Sequence, residues 1–155
     1  MTKFPHLVST LLTAIIVAVI AFPVAALGED RSDSAHIDLV YVWTAHEGME
    51  DQLIGTYAAV GAALEAGEPG LLHYGISISE TGHQIVIHEV FANNEALAFH
   101  LNGTAARYFP QISQIATPGP FIFRGDVDEE LRRAAYQMNM GAIFTTDWEG
   151  FSRTD

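Results

Sequence analysis

The order of apolar patterns between residues 36 and 124 constrains the fold more than any other feature of the chain. Three segments alternate between an apolar and a mixed face, with the period of two that predicts strands: residues 36–44, 71–79 and 84–91. Two segments repeat apolar residues every three or four positions, as amphipathic helices do: residues 49–64 and 93–115, the second interrupted at Gly103. A short apolar run at residues 121–123 completes the order β–α–β–β–α–β. This order is typical of the α+β ferredoxin-like, split βαβ fold, with both helices on one face of a four-stranded antiparallel sheet.

Capping and breaking residues predict where these elements begin and end. Thr44-Ala45-His46-Glu47 fits a capping box at the start of the first helix. Gly67 followed by Pro69 is typical of its end. Pro118-Gly119-Pro120 predicts a break, so residues 121–123 are expected to form a short strand at the edge of the sheet.

The hairpin between the second and third strands places one carboxylate in the core. Thr81-Gly82 fits a two-residue loop. The resulting register sets Tyr74 opposite Glu89 on the apolar face and leaves His73 and His88 on the other face. A shift of one residue would exchange the two faces, so the placement of Glu89 depends on this turn.

The first 28 residues have the composition of a secretory signal peptide. Lys3 precedes an apolar run over residues 7–22, and the small residues Ala25, Ala26 and Gly28 follow. Cleavage would fall after Gly28 or Ala26, which predicts a secreted or periplasmic protein. An uncleaved membrane anchor is the alternative, because about 20 apolar residues can span a bilayer.

The rest of the chain divides into three predicted parts. Residues 29–35 are polar and predict a disordered lead-in, residues 36–125 form the main domain, and residues 126–155 form a C-terminal helical extension and tail. Within that extension, residues 126–138 have the pattern of an amphipathic helix.

Charge and cysteine content exclude several classes of function. The formal net charge is −12, and the only lysine lies in the predicted leader. Nucleic acid and anionic membrane surfaces need basic patches, so neither is expected as a partner. The chain has no cysteine, which excludes thiol catalysis, iron–sulfur clusters, cysteine-based zinc sites and disulfides.

Three motifs resemble the antibiotic biosynthesis monooxygenase family of the dimeric α+β barrel superfamily. They are Glu68-Pro69-Gly70, Glu89-x-Phe91 and Glu95-Ala96-Leu97-x-x-His100, and the resemblance covers about residues 37–124. It implies a homodimer that oxidises a small aromatic or quinone-like molecule with O₂ and without a cofactor. The family also includes haem-degrading relatives, whose Asn, Trp and His set has no counterpart here. Where many members carry a second histidine, this chain has Thr104-Ala105-Ala106.

Glu89 and His100 are the candidate catalytic residues, because the pattern directs both toward the same apolar space. A histidine titrates near neutrality and could accept a proton from a phenol or quinol, with the carboxylate stabilising the imidazolium. The alternative is a structural pair that attaches the second helix to the sheet. The candidate substrate-binding residues are aromatic: Tyr41, Trp43, Tyr57, Tyr74 and Phe91. Their alternative role is to form the core.

Two further interpretations stay open at this point. A non-catalytic protein of the same fold could bind a small apolar molecule. His73 and His88, together with His83 or His36, could instead hold a metal ion or contribute to a haem site. The alternative for these histidines is a polar dimer interface, since a sheet face with Val40 and Val42 is often covered by a second copy of the chain.

Overall fold

The sheet and helices are seen in a computed structural model that describes residues 36–139 and 141–145. Its elements are β1 (Ile37–Ala45), α1 (Glu50–Gly67), β2 (Leu71–Ile78), β3 (Gln84–Phe91), α2 (Asn94–His100), a π-helical segment (Leu101–Ala105), α3 (Ala106–Ile112), β4 (Ala116–Arg124), α4 (Glu129–Gln137) and β5 (Ala142–Thr145). The predicted signal peptide and lead-in, and residues 146–155 of the tail, lie outside the described residues. No helix in the described part is long and apolar enough to cross a membrane.

The five strands form one mixed sheet in the order β2-β3-β1-β4-β5. The first four are antiparallel neighbours, which confirms the predicted ferredoxin-like arrangement. The C-terminal extension adds β5, which the sequence did not predict and which pairs in parallel with β4. Over the described residues the sheet of one chain is open and does not close into a barrel.

The predicted strand at residues 121–123 is present, but the prediction that it is short and lies at the edge of the sheet was wrong. β4 begins at Ala116, runs through both prolines, and lies between β1 and β5. The register against β1 shifts where Tyr41 pairs with Phe121 but Trp43 pairs with Pro118. This bulge inserts one extra residue in β4 at the point where proline has no N–H to donate, so the strand continues beyond it.

The predicted capping box was also wrong. Thr44 belongs to β1, where its Oγ1 accepts a hydrogen bond from the Gln84 side chain at 3.1 Å. α1 begins five residues after Ala45, and its N-cap residue Met49 makes no side-chain cap. The acidic residues Glu50 and Asp51 occupy its first turn, where negative charge interacts favourably with the helix dipole.

The predicted register of the hairpin is confirmed: Tyr74 pairs with Glu89. The loop is longer than predicted. The last pair of the hairpin is Ser79 with Gln84, whose carbonyl accepts a hydrogen bond from the Ser79 N–H at 2.9 Å, so residues 80–83 form the loop. Gly82 has a φ of 77°, which glycine adopts at little cost. Lengthening the loop symmetrically keeps the same residues opposite one another, so Glu89 stays on the core face.

The core lies between the sheet and helices α1 to α3. β1 and β3 supply most of its fully buried strand residues, Ile37, Leu39, Trp43, Ile85, Ile87 and Phe91, and β4 adds Phe123. α1 supplies Leu53, Tyr57, Val60 and Leu64, which confirms most of its predicted stripe. The helices that cover the core, α1 to α3, all lie on one face of the sheet. Val86 and Ile122 are exposed on the opposite face.

Gly70 lets the start of β2 approach α2 closely. A Cβ at this position would lie 2.6 Å from the Cβ of Ala96. We expect Gly70→Ala to lower the free energy of unfolding by about 1–3 kcal/mol, because overpacking forces the two elements apart. The matched control is Gly55→Ala in α1, where a new Cβ meets no atom within 4 Å and should stabilise the helix by about 0.5–1 kcal/mol. Equal midpoints for both variants in urea denaturation would contradict the close approach.

Candidate functional site

Glu89 is a fully buried carboxylate in the centre of the sheet. Glu89 lies on β3, and the residues paired with it on the two adjacent strands are Leu39 of β1 and Tyr74 of β2. The Tyr41 hydroxyl donates a hydrogen bond to Oε1 at 3.1 Å, and Oε2 has no hydrogen-bond partner among the residues that the structure describes. Burial raises the pKa of Glu89, although the positive charge of His100 and the bond from Tyr41 act in the opposite direction. Such a carboxylate is a better proton acceptor than one at the surface.

His100 lies at the end of α2 between two buried carboxylates. Its Nε2 is 3.6 Å from Oε2 of Glu89, and its Nδ1 is 3.0 Å from Oε2 of Glu68. Burial alone would lower the pKa of His100, but the charges of Glu89 and Glu68 outweigh it and the pKa is raised. The predicted pair is therefore brought together, yet the carboxylate within hydrogen-bonding distance of the ring is Glu68.

Glu68 is the site residue that the sequence did not single out. It follows α1 directly, is 6% exposed, and contacts His100 from the side opposite Glu89. Burial opposes ionisation, but the hydrogen bond from His100 and the positive charge of its ring hold the pKa of Glu68 below its usual value. A carboxylate in a Glu-Pro-Gly turn is normally solvated. In the sequence, Glu68 appeared only as part of the motif that resembles the family, and no periodic pattern predicted that its side chain is buried.

The π-helical segment after His100 forms one wall of an interior cavity. Its wider turns join α2 to α3 without breaking the helix, and such segments are frequent at functional sites. Leu101, Thr104 and Ala105 of this segment line the cavity together with His100. Thr104 therefore shares the cavity wall with His100 and also lies beside Glu68.

The cavity is predominantly apolar and aromatic. Its lining residues are Leu39, Tyr41, Trp43, Tyr57, Val60, His100, Leu101, Thr104, Ala105, Tyr108, Phe109, Ile112 and Phe121. The space between these side chains measures about 430 Å³ with its open mouth included, but the centre of a water molecule can reach only about 30 Å³ of it. A planar ligand would therefore enter by displacing side chains at the wall, such as the half-buried Tyr108 and Phe109.

Three of the five predicted aromatic residues line this cavity: Tyr41, Trp43 and Tyr57. Tyr74 does not; its hydroxyl donates to the backbone carbonyl of Tyr57 at 3.1 Å and so attaches α1 to the sheet. Phe91 also lies outside the lining, and its ring packs 5.1 Å from that of His100. The prediction that these two contact a ligand is not supported by their positions. Three lining aromatics were missed: Tyr108, Phe109 and Phe121.

The hydroxyls of Tyr41 and Tyr57, which line the cavity, stay protonated. Burial raises the pKa of Tyr41 well above its ordinary value, and the negative charge of Glu89 adds to the effect. Burial likewise raises the pKa of Tyr57. Both hydroxyls are therefore hydrogen-bond donors, and neither is a phenolate base.

The histidines proposed as metal ligands are not assembled into one site. His73 and His88 lie together, with ring centroids 5.0 Å apart, and His88 Nε2 is 3.1 Å from Asp38. His83 instead pairs with Glu50 at 2.6 Å. Within residues 36–139 and 141–145, no group of three or more histidine, aspartate or glutamate side chains is arranged to hold a metal ion.

The fold and the buried acid–histidine cluster define an α+β domain with an interior cavity. Residues 38–110 match the model of the antibiotic biosynthesis monooxygenase family, so this domain is similar to the members of that family. The resemblance seen in the sequence motifs is thus confirmed.

Solved structures support the same fold. MupZ from Pseudomonas fluorescens is 23% identical with a TM-score of 0.60, over 77% of this chain and 95% of that one. A conserved protein of unknown function from Bacteroides thetaiotaomicron, described as a possible oxidoreductase, is 22% identical with a TM-score of 0.53, over 59% and 97%. Rv0793 from Mycobacterium tuberculosis is 16% identical with a TM-score of 0.51, over 61% and 98%. A search of curated proteins gave no significant match.

Proposed function

We propose that this domain binds a small aromatic or quinol-type molecule in the cavity and oxidises it with O₂ without a bound cofactor. One observation carries the proposal: Tyr41 and His100 both line the cavity, and both contact Glu89, which lies behind the wall. A buried group with a raised pKa is thereby connected to an aromatic pocket through two groups that can transfer protons.

The chemistry follows from that connection. A bound phenol or enol would give its proton to Tyr41 as Tyr41 passes its own proton to Glu89 Oε1, which is 3.1 Å away. The electron-rich anion can then react with O₂, and His100 stabilises the negative charge and protonates the reduced oxygen. For oxidation of a CH₂ group to a carbonyl, the substrate supplies four electrons. One oxygen atom enters the product and the other leaves as water.

The indole N–H of Trp43 favours a ligand with an oxygen atom that can accept a hydrogen bond. Its Nε1–H is buried and makes no hydrogen bond of normal geometry within the described part of the chain. An unsatisfied buried donor costs about 1–3 kcal/mol, and a ligand carbonyl or phenolate oxygen would remove that cost. The Tyr57 hydroxyl lies beside this N–H: burial raises the pKa of Tyr57, and the neighbouring Trp43 N–H offsets part of that rise. Tyr57 therefore offers the ligand a second donor.

Oxygen uptake by the purified protein with a panel of quinols and anthrones tests the proposal. We expect substrate-dependent uptake that is lost in a Glu89→Gln, His100→Ala double variant. His83→Ala is the matched control, because this histidine is exposed and pairs with Glu50 away from the cavity. Uptake by the wild type that does not exceed that of the double variant would refute the enzymatic claim.

A non-catalytic ligand-binding protein is the second candidate function. One observation favours it: Glu68, His100 and Glu89 link the end of α1, α2 and β3. A cluster that only holds these elements together would have the same arrangement, and the cavity would then bind a ligand without reacting with it. This function predicts that quinols raise the melting temperature, since ligand binding stabilises the folded state, while no product forms.

A homodimer belongs to the same proposal. Apolar side chains are exposed on the sheet face away from the helices, with Val86 37%, Ile122 39% and Ile143 47% exposed. Pairing with a second copy would cover them. Light scattering of the purified protein should give twice the mass of the chain.

A further inference from the structure

We propose that Glu68 is a positioning residue that fixes His100 as the Nδ1–H tautomer, so that Nε2 is the nitrogen that exchanges protons with Glu89 and the bound molecule. The catalytic effect of Glu68 rests on the proposed function. The tautomer and orientation of the His100 ring can be tested without an activity assay. The neutral imidazole carries one proton, and the hydrogen bond made by one nitrogen decides which nitrogen holds it.

The two contacts of the ring are unequal. Nδ1 lies 3.0 Å from Glu68 Oε2, a hydrogen-bonding distance, whereas Nε2 lies 3.6 Å from Glu89 Oε2. A carboxylate only accepts, so Nδ1 must be the donor toward Glu68. The ring of Phe91, 5.1 Å away, packs against the imidazole, and the side chain of His100 is 5% exposed. The ring therefore has little room to turn and exchange its nitrogens.

The side chain of Glu68 is not needed for the turn that it occupies. Its backbone N–H donates to Leu64 and its carbonyl accepts from Leu71, at 2.9 and 3.0 Å. These bonds close the end of α1 and start β2 whatever the side chain. A buried carboxylate is costly unless it is paired; here Oε2 of Glu68 pairs with His100, and Oε1 has no hydrogen-bond partner among the residues that the structure describes. The contact with His100 is thus the main gain that offsets the burial of this carboxylate.

The groups that face His100 come from four elements. Glu68 follows α1, Glu89 lies on β3, Tyr41 lies on β1, and Thr104 lies on the π-helical segment. Among them only the two glutamates carry charge near neutral pH. Replacing Glu68 by glutamine removes the one charge within hydrogen-bonding distance of Nδ1 and leaves Glu89 as the remaining charge beside Nε2.

Nitrogen-15 NMR of His100 as a function of pH tests this assignment. At a pH above the titration of the ring, the wild type should show a protonated Nδ1 and an unprotonated Nε2. In Glu68→Gln the titration midpoint should fall and the proton should move toward Nε2, whereas Glu65→Gln on the exposed side of α1 should leave both unchanged. An Nε2–H tautomer in the wild type would overturn the proposal, and that measurement needs no variant to fold.

Kinetics provide a separate readout. If O₂ uptake is found, Glu68→Gln should lower kcat roughly 10- to 100-fold with little change in KM, because Glu68 does not line the cavity. An unchanged kcat would overturn the assigned role. Absence of uptake in the wild type would reject the proposed function and leave the NMR result to decide the tautomer.

Discussion

Replacing Glu89 with glutamine is expected to lower kcat for O₂ uptake by roughly 10²- to 10⁴-fold, the usual contribution of a general base. The amide has nearly the same shape and can still accept the Tyr41 hydrogen bond, but it cannot accept the proton. KM should change little, because Glu89 lies behind the cavity wall. Stopped-flow or electrode measurements with the best quinol or anthrone of the panel give both constants.

The pH dependence of kcat provides the control for Glu89. The base must be ionised, so kcat should fall as the pH drops through the raised pKa of Glu89, which lies above the ordinary value of 4.5. This acid limb should be missing from the residual activity of Glu89→Gln. Glu65→Gln, at an exposed position, should keep the wild-type profile. A kcat for Glu89→Gln within twofold of the wild type would reject Glu89 as the base.

Replacing His100 with alanine is expected to destabilise the protein more than any other single change at the site, by about 3–5 kcal/mol near neutral pH. The variant leaves Glu68 and Glu89 buried without the cation between them. Their charges then cost free energy that only protonation or partial unfolding can relieve. Urea denaturation monitored by tryptophan fluorescence measures the loss.

The pH dependence of this loss follows from the shifted pKa values. The raised pKa of His100 means that its contribution is complete below the ordinary value of 6.5 and fades as the pH rises through the folded-state pKa. The lowered pKa of Glu68 means that its contribution is present above 4.5 and fades as the pH falls through the folded-state value. The difference between wild type and His100→Ala should therefore be largest between these limits.

A double variant separates the charge effect from lost packing. Adding Glu89→Gln to His100→Ala removes one of the two uncompensated carboxylates and should recover part of the stability. His83→Ala, with a side chain that is 59% exposed, should differ little from wild type. A loss for His100→Ala that is independent of pH and not relieved by the second change would show that packing against Phe91, not charge, determines it.

The burial of Glu89 could be predicted because it depends on a local register. Any symmetric loop around Thr81 and Gly82 sets Tyr74 opposite Glu89, so an error in loop length did not change the face. The helical stripe likewise directed His100 toward the core. Local periodicity was sufficient for both residues.

Features that depend on contacts between distant segments could not be predicted. Glu68 lies in a turn that resembles a solvated one, and only its approach to His100, 32 residues later, buries it. The π-helical geometry of residues 101–105 appeared in the sequence only as an interruption at Gly103. β5 is four residues long and exists through parallel pairing with β4. These features carry no periodic pattern of their own.

Oxidation of an anthrone under ¹⁸O₂, followed by mass spectrometry of the product, tests the central claim most directly. A monooxygenase whose substrate supplies the electrons should incorporate one labelled oxygen atom per product molecule, release the other as water, and form no hydrogen peroxide. A parallel reaction in H₂¹⁸O under unlabelled O₂ measures carbonyl exchange. Label in the product with wild type, and its loss in the Glu89→Gln, His100→Ala double variant, is the predicted result. Unlabelled product, or equal labelling by both proteins, would contradict it.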